Sequence, residues 1–233
     1  MAMIAVRVPV DIARLLHALD VPGDKEPPHG FHVTLVHMGD GVPIDVLAAT
    51  VEAIFPIAQD TQPFTAQVSQ ISSFPAKDDG VVPIICPVNS TGIRDLWGRL
   101  TTALDAAGIE YSKKFPKFSP HATLGYCDDP LVEEIVNGRS FPVVEWGVGE
   151  VTLFGGDSGD GTFVASFPFA LEPSTRVASR HENARTAAFR ALLRLASMKP
   201  KAAHDENGVC QPTCPCHDDP NHRVVARYLS ARP

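Results

Sequence analysis

The chain has 233 residues, 44% apolar and 20% charged, which is ordinary globular usage and enough length for one large or two small cores. No apolar run approaches the ~20 residues of a membrane helix. The first ten residues lack the basic start and long apolar stretch of a secretory signal. Five cysteines, three of them crowded near the C-terminus, argue against a disulfide framework and for a reducing, cytoplasmic setting. The net charge of −7 is unevenly spread: residues 1–174 carry 10 Lys and Arg against 22 Asp and Glu, and residues 175–233 carry 10 against 5. That excludes a general nucleic-acid coat, so an anionic substrate must find a local pocket.

Met3 to Val8 is β-rich and predicts a strand. Asp11 to Leu19 predicts a short helix with Asp11 as its N-cap. Pro22 to Gly30 reads as a loop and Phe31 to Met38 as a strand. Ile44, Leu47, Val51 and Ile54 give Pro43 to Phe55 a helical stripe, with Pro43 near its start. Phe64 to Phe74 and Val81 to Val88 read as strands around a turn at Asp78-Asp79-Gly80, and Pro83 and Pro87 put the second at a sheet edge. Thr91 to Ala107 is a helix with Ile93, Leu96, Trp97, Leu100 and Leu104 on one face, ended by Gly108. Tyr111 to Ser119 is a loop, His121 to Tyr126 a strand and Pro130 to Val136 a short helix. Val143 to Phe154 and Thr162 to Phe169 are strands joined by a Gly/Asp turn at 155–161.

The order of elements repeats, which points to an internal duplication. His32-Val33-Thr34-Leu35 matches His121-Ala122-Thr123-Leu124 at an offset of 89 residues. Gln67 to Phe74 runs parallel to Gly147 to Phe154 at 80, and Val81 to Val88 to Thr162 to Phe169 at 81. On a strand, residues i and i+2 share a face. His32 and Thr34 therefore point one way while Val33 and Leu35 enter the core, and His121 and Thr123 follow suit. Two lobes facing one another bring two imidazoles and two hydroxyls together from opposite walls of a cleft.

That set suits phosphodiester chemistry. One imidazole takes a proton from the attacking hydroxyl or water, and the other protonates the departing oxygen across the phosphorus. Imidazole titrates near pH ~6.5, so one ring starts neutral and the other cationic. Threonine hydroxyls donate to the non-bridging oxygens where charge builds up. This chemistry calls for no metal and no cofactor.

The paired tetrads, at this separation, resemble the signature of the 2H (two-histidine) phosphoesterase superfamily, over roughly residues 1–172. The group includes the RNA 2′,3′-cyclic phosphodiesterases once called 2′–5′ RNA ligases and phage nucleases that destroy cyclic-nucleotide immune signals. The resemblance implies an α+β fold: a bilobal, pseudo-symmetric duplication in which each lobe is an antiparallel sheet with flanking helices around a central cleft. The two-lobed domain spans 1–174, with lobes at about 1–88 and 89–174. The implied activity is metal-independent hydrolysis of a 2′,3′-cyclic phosphate or related ribonucleotide phosphodiester. His121 then activates the nucleophile, His32 protonates the leaving oxygen, and Thr34 and Thr123 hold the phosphate. A nuclease for cyclic oligonucleotide signals is an alternative. So is a nucleotide-binding module without turnover, whose C-terminal tail does the work.

Members often stack the base on an aromatic, for which Phe31, Tyr111, Phe115 and Phe118 are the candidates. Many carry Arg or Lys just beyond the second tetrad, where this chain has Gly125-Tyr126. Tyr126 is retained as a substrate-binding candidate, although strict alternation turns it, like His37, away from the catalytic side toward a packing role. Lys113 and Lys117, with Lys114, precede His121 and are candidates for phosphate contact against a solvated-loop reading. His29 is a minor candidate for ligand contact. Cys86 and Cys127 read as core thiols.

From about Ser174 the character changes. Arg176 to Met198 predicts a basic amphipathic helix, suited to nucleic acid, an acidic partner or the acidic body of the chain itself. The tail beyond carries Cys210, Cys214, Cys216, His217 and His222, whose spacing matches no common zinc finger. A structural zinc on Cys210, Cys214, Cys216 and His217 competes there with a free tail.

Overall fold

The computed structural model describes residues 1–114, 117–129, 131–155 and 163–170. Phe115, Pro130, most of the 155–161 turn, the 176–198 helix and the Cys210, Cys214, Cys216 and His217 cluster lie outside these residues. The described chain runs β1 (Ala2–Arg7), α1 (Val10–His17), β2 (Asp24–Lys25), a 3-10 turn (Pro28–Gly30), β3 (His32–Gly39), α2 (Ile44–Gln59), β4 (Phe64–Gln70), β5 (Ser72–Ser73) and β6 (Val82–Pro87). It continues with α3 (Thr91–Ala106), β7 (His121–Cys127), α4 (Val132–Val136), β8 (Ser140–Val148), β9 (Glu150–Phe154) and β10 (Phe163–Pro168). The fold is α+β, with antiparallel pairing throughout these strands.

The main sheet has the order β10-β9-β1-β3-β7-β6-β5, with β2 beside β7, and β4 and β8 form a separate ribbon. The apolar stripe on α2 buries Leu47, Val51 and Ile54, and that on α3 buries Ile93, Leu96, Leu100 and Leu104. These residues share one core with Val33, Leu35, Ala122 and Leu124 of the two histidine strands. Each such Leu or Ile contributes about 1.5–3 kcal/mol by leaving water. The helices thus claim one face of β3 and β7, and the tetrad histidines and threonines are left for the other.

Four expectations change. Asp11 is not an N-cap: α1 starts at Val10, Pro9 caps it through its carbonyl (Ala13 N–H to Pro9 O, 2.8 Å), and Asp11 sits in the first turn. The second helix does not stop before Pro56. Its last turn is held by Asp60 N–H on Pro56 O (3.1 Å) and by the Thr61 hydroxyl and the Arg99 guanidinium, both on Ile57 O. The stretches 64–74 and 143–154 are each two strands. Their first parts pair with each other as β4–β8, and their second parts leave the ribbon for the main sheet, β5 against β6 and β9 between β1 and β10. Alternation reveals a strand but not its partner, so such a crossing is invisible in sequence. Finally, β6 is not an edge strand, since it lies between β7 and the two-residue β5.

The two histidine strands are paired to their neighbours in the same way. Arg7, Val6 and Ala5 of β1 stand opposite His32, Val33 and Thr34, and Pro87, Cys86 and Ile85 of β6 stand opposite His121, Ala122 and Thr123. Both ladders then slip by one residue: Ile4 meets Val36 and Ile84 meets Gly125, which leaves Leu35 and Leu124 as the extra residues of two equivalent bulges. Ser72 pairs with Ile85 as Thr152 pairs with Ala5, which follows the offset of 80 between 67–74 and 147–154. In its place beside the histidine strand, β6 corresponds to β1 rather than to β10, which adds outside β9.

Candidate active site

β3 and β7 lie side by side rather than on opposite walls. They meet as an antiparallel pair at Val33 and Ala122, the matching second residues of the two tetrads. Both are fully buried, so the four flanking residues point to the other side. The antiparallel sense carries His32 toward Thr123 and Thr34 toward His121. Beyond this one contact the strands part. β2 takes the free edge of β7, and Ser112 N–H donates to His37 O (2.8 Å) on β3. The tetrads thus stand at the neck between two diverging sheet halves, and each half lends a loop to the other.

The histidines are oriented alike. His32 Nδ1 is 2.6 Å from Gly30 O, and His121 Nδ1 is 2.7 Å from Ser119 O. A carbonyl only accepts, so Nδ1 carries a proton in each ring and Nε2 is the nitrogen left for the site. Each ring also lies against a phenylalanine: His121 on Phe74 edge-on at 4.7 Å, and His32 on Phe154 at 6.2 Å and 42°. Burial lowers the His121 pKa from 6.5; His32, as a nearby cation, pushes the same way, and the Ser119 carbonyl opposes them. The Thr34 hydroxyl lies 3.7 Å from Met3 Sδ.

The bulges revise the alternation argument. Because Leu35 and Val36 are both inside, as are Leu124 and Gly125, the parity of each strand flips, and His37 and Tyr126 return to the tetrad side. Tyr126 is therefore not turned away. Its hydroxyl engages Thr123, and burial, followed by the Glu26 carboxylate, raises its pKa. Lys77, from the β5–β6 hairpin, sits 4.4 Å from the centre of the Tyr126 ring and brings a cation to this place. Gly125 is what lets β2 cross there, since a Cβ would lie 2.4 Å from Asp24 O.

The other candidates lie elsewhere. Phe31 is 3% exposed, a core residue with no face left for a base. Phe118 stacks on Trp97 of α3 at 4.7 Å and 6°. The Tyr111 hydroxyl and Lys113 Nζ both bind Asp105 of α3, at 3.2 and 2.9 Å, and Lys113 also covers the Tyr111 ring. Lys117 is exposed and remains in the loop leading to His121. Sequence reasoning missed Phe74, Phe154 and Lys77. The two phenylalanines are the matched ends of the 80-residue repeat, so that alignment held the signal; Lys77 left none. Among the described residues no group of three His, Cys, Asp or Glu side chains is placed to hold a metal, and no helix is long and apolar enough to cross a membrane.

Paired imidazoles with a common Nδ1 anchor, on adjacent strands of a helix-backed antiparallel sheet, describe a two-histidine phosphoesterase. The sequence profile of the 2′-5′ RNA ligase superfamily matches residues 7–160, and the chain belongs to that family of 2H phosphoesterases. Among solved structures it is similar to TT0787 of Thermus thermophilus, at 21% identity and a TM-score of 0.58, over 74% of this chain and 99% of that one. It is also similar to Escherichia coli LigT complexed with 3′-AMP, at 20% identity and a TM-score of 0.53, over 73% and 98% of the two chains. LigT complexed with ATP aligns at 18% identity and a TM-score of 0.51, over 73% and 97%. No curated protein matches the chain by sequence.

Proposed function

We propose that the chain is a phosphodiesterase that hydrolyses 2′,3′-cyclic phosphates or related ribonucleotide phosphodiesters, with His32 and His121 supplying both proton transfers. The carrying observation is the mirrored anchoring of the two rings, which turns both Nε2 atoms to one neck. His121 has the lowered pKa and is neutral at pH 7, which suits the base. Its Nε2 takes a proton from water as the water oxygen bonds to phosphorus. The bond from phosphorus to the ribose oxygen breaks, and that oxygen takes its proton from Nε2 of cationic His32. Thr34 and Thr123 donate to the non-bridging oxygens, and Tyr126 with Lys77 flanks Thr123. The nucleotides in the LigT complexes agree with a ribonucleotide substrate.

The same reading takes the molecule as two pseudo-symmetric lobes, about 1–88 and 89–174, followed by a separate tail at 175–233. The matched ladders of β1–β3 and β6–β7, bulges included, support it. The test is a product survey of cyclic and linear ribonucleotides with and without EDTA. Release of a nucleoside phosphomonoester, insensitive to EDTA, is expected. Cleavage confined to cyclic oligonucleotides would instead make the protein a signal-degrading nuclease, and tight binding without product would make it a binding module.

A further inference from the structure

A pocket of about 310 Å³ opens next to the neck, at the end of β1, lined by Arg7, Pro9, His29, Gly147, Gly149 and Glu150 among others. Its size falls at the small end of ligand sites, roughly 300–1,000 Å³. Arg7, which lines it, is the register partner of His32, so the pocket lies one strand over from that histidine. The repeat explains why space opens here. At the matching places around His121 the chain has Gln67 for Gly147, Asn89 for Pro9 and Phe118 for His29. Gln67 and Asn89 close on each other through two backbone hydrogen bonds, 3.1 and 2.8 Å, and Phe118 lies stacked on Trp97. Pro9 has no N–H for such a bridge, and Gly147 has no side chain to fill the gap. A Cβ added at Gly147 or Gly149 meets no heavy atom within 4 Å.

The lining selects among the parts of a nucleotide. Glu150, whose carboxylate accepts from the Ser166 hydroxyl at 3.2 Å, repels a second phosphate. Arg7 and Glu150 together offer donors and an acceptor to a planar ring that carries both kinds of edge. We infer that this pocket holds the nucleobase of the nucleoside whose ribose oxygen departs beside His32. The inference rests on the hydrolytic reading above for the side of phosphorus involved, not for the existence of the pocket.

The deciding experiment fills the pocket with the other half's own residues, in a Gly147→Gln/Gly149→Ser variant whose melting temperature is checked against wild type. KM for the four nucleoside 2′,3′-cyclic phosphates is expected to rise by about tenfold or more with kcat nearly unchanged, the pattern of lost uniform binding. KM for ribose 2′,3′-cyclic phosphate, which has no base, stays as in wild type. Glu150→Gln, a milder change, is expected to reorder the preference among the four bases. An equal KM rise with and without the base, or none with it, overturns the inference. If wild type turns over none of these substrates, the hydrolytic reading fails by itself. The pocket is then decided by calorimetry with nucleoside 3′-monophosphates and ribose 3-phosphate: weaker binding of only the former in the filled variant supports it, and equal binding overturns it.

Discussion

His32 and His121 have the same strand register, the same bulge three residues on and the same carbonyl anchor for Nδ1, yet their surroundings differ. The His121 ring is packed edge-on against Phe74 at 4.7 Å and its pKa is lowered, and beyond it stand Tyr126 and Lys77. His32 has Phe154 at the longer 6.2 Å, His37 in place of Tyr126, and a pocket beside its strand partner Arg7. The backbone repeat gives the two rings equivalent places; on the proposed function, the side chains around them suit His121 to the base and leave space beside the strand partner of His32. On that proposal a symmetric backbone serves an asymmetric reaction.

The most direct way to break this comparison is to remove either ring. His32→Ala or His121→Ala is expected to lower kcat by about 10²–10⁴ in a protein that still folds at neutral pH, as circular dichroism checks. Wild-type turnover in either variant ends the assignment. Thr34→Val and Thr123→Val, which remove a donor to the phosphate, are expected to cost about 10² in kcat by steady-state kinetics.

The pH profile sharpens the difference between the halves. A base works deprotonated, so with the His121 pKa lowered, the acidic limb of kcat/KM has its midpoint below 6.5. Phe74→Ala wets the ring and moves that midpoint up toward 6.5. The sign for stability is the same. Below pH 6.5 the unfolded chain binds a proton more readily at His121 than the folded chain does, so stability present above 6.5 is lost as the pH falls. Acid melts of His121→Gln, compared with wild type, read that loss out.

Smaller effects follow at the periphery. Lys77→Ala removes the cation from Tyr126 and is expected to raise KM about 2–5-fold, the scale of one exposed cation–π contact. Cys86→Val gives β6 the residue that β1 has at Val6 and is expected to change stability by less than ~1.5 kcal/mol in a denaturant titration. Burial holds the Cys86 thiol at about 12, so in the native wild type it does not react with thiol reagents at pH 8.

The periodicity of 3.6 and of 2 in the sequence located the helices and most strands, because apolar side chains must face a common core whatever their partners are. The tetrads His32-Val33-Thr34-Leu35 and His121-Ala122-Thr123-Leu124 fixed, by alternation, which residues share a face. The offset of 80 joined Phe74 to Phe154 before any ring contact was visible. Strict alternation fails at Leu35 and Leu124, because a bulge inserts a residue without leaving a mark on hydrophobicity, and so alternation alone puts Tyr126 and His37 on the wrong side.

Local pattern therefore determined the chemistry, meaning which groups exist, in what pairs, and on which face of their own strand. Tertiary structure decided what no single segment encodes. It set the two strands side by side at Val33 and Ala122, split 64–74 and 143–154 between two sheets, and brought Lys77 onto Tyr126. It also turned Phe31 and Phe118 inward and left space beside Arg7. The physical reason is range. Periodicity records how each residue is solvated, whereas register, ring stacking and cavity shape depend on partners tens of residues away, whose contacts form only once the whole core has closed.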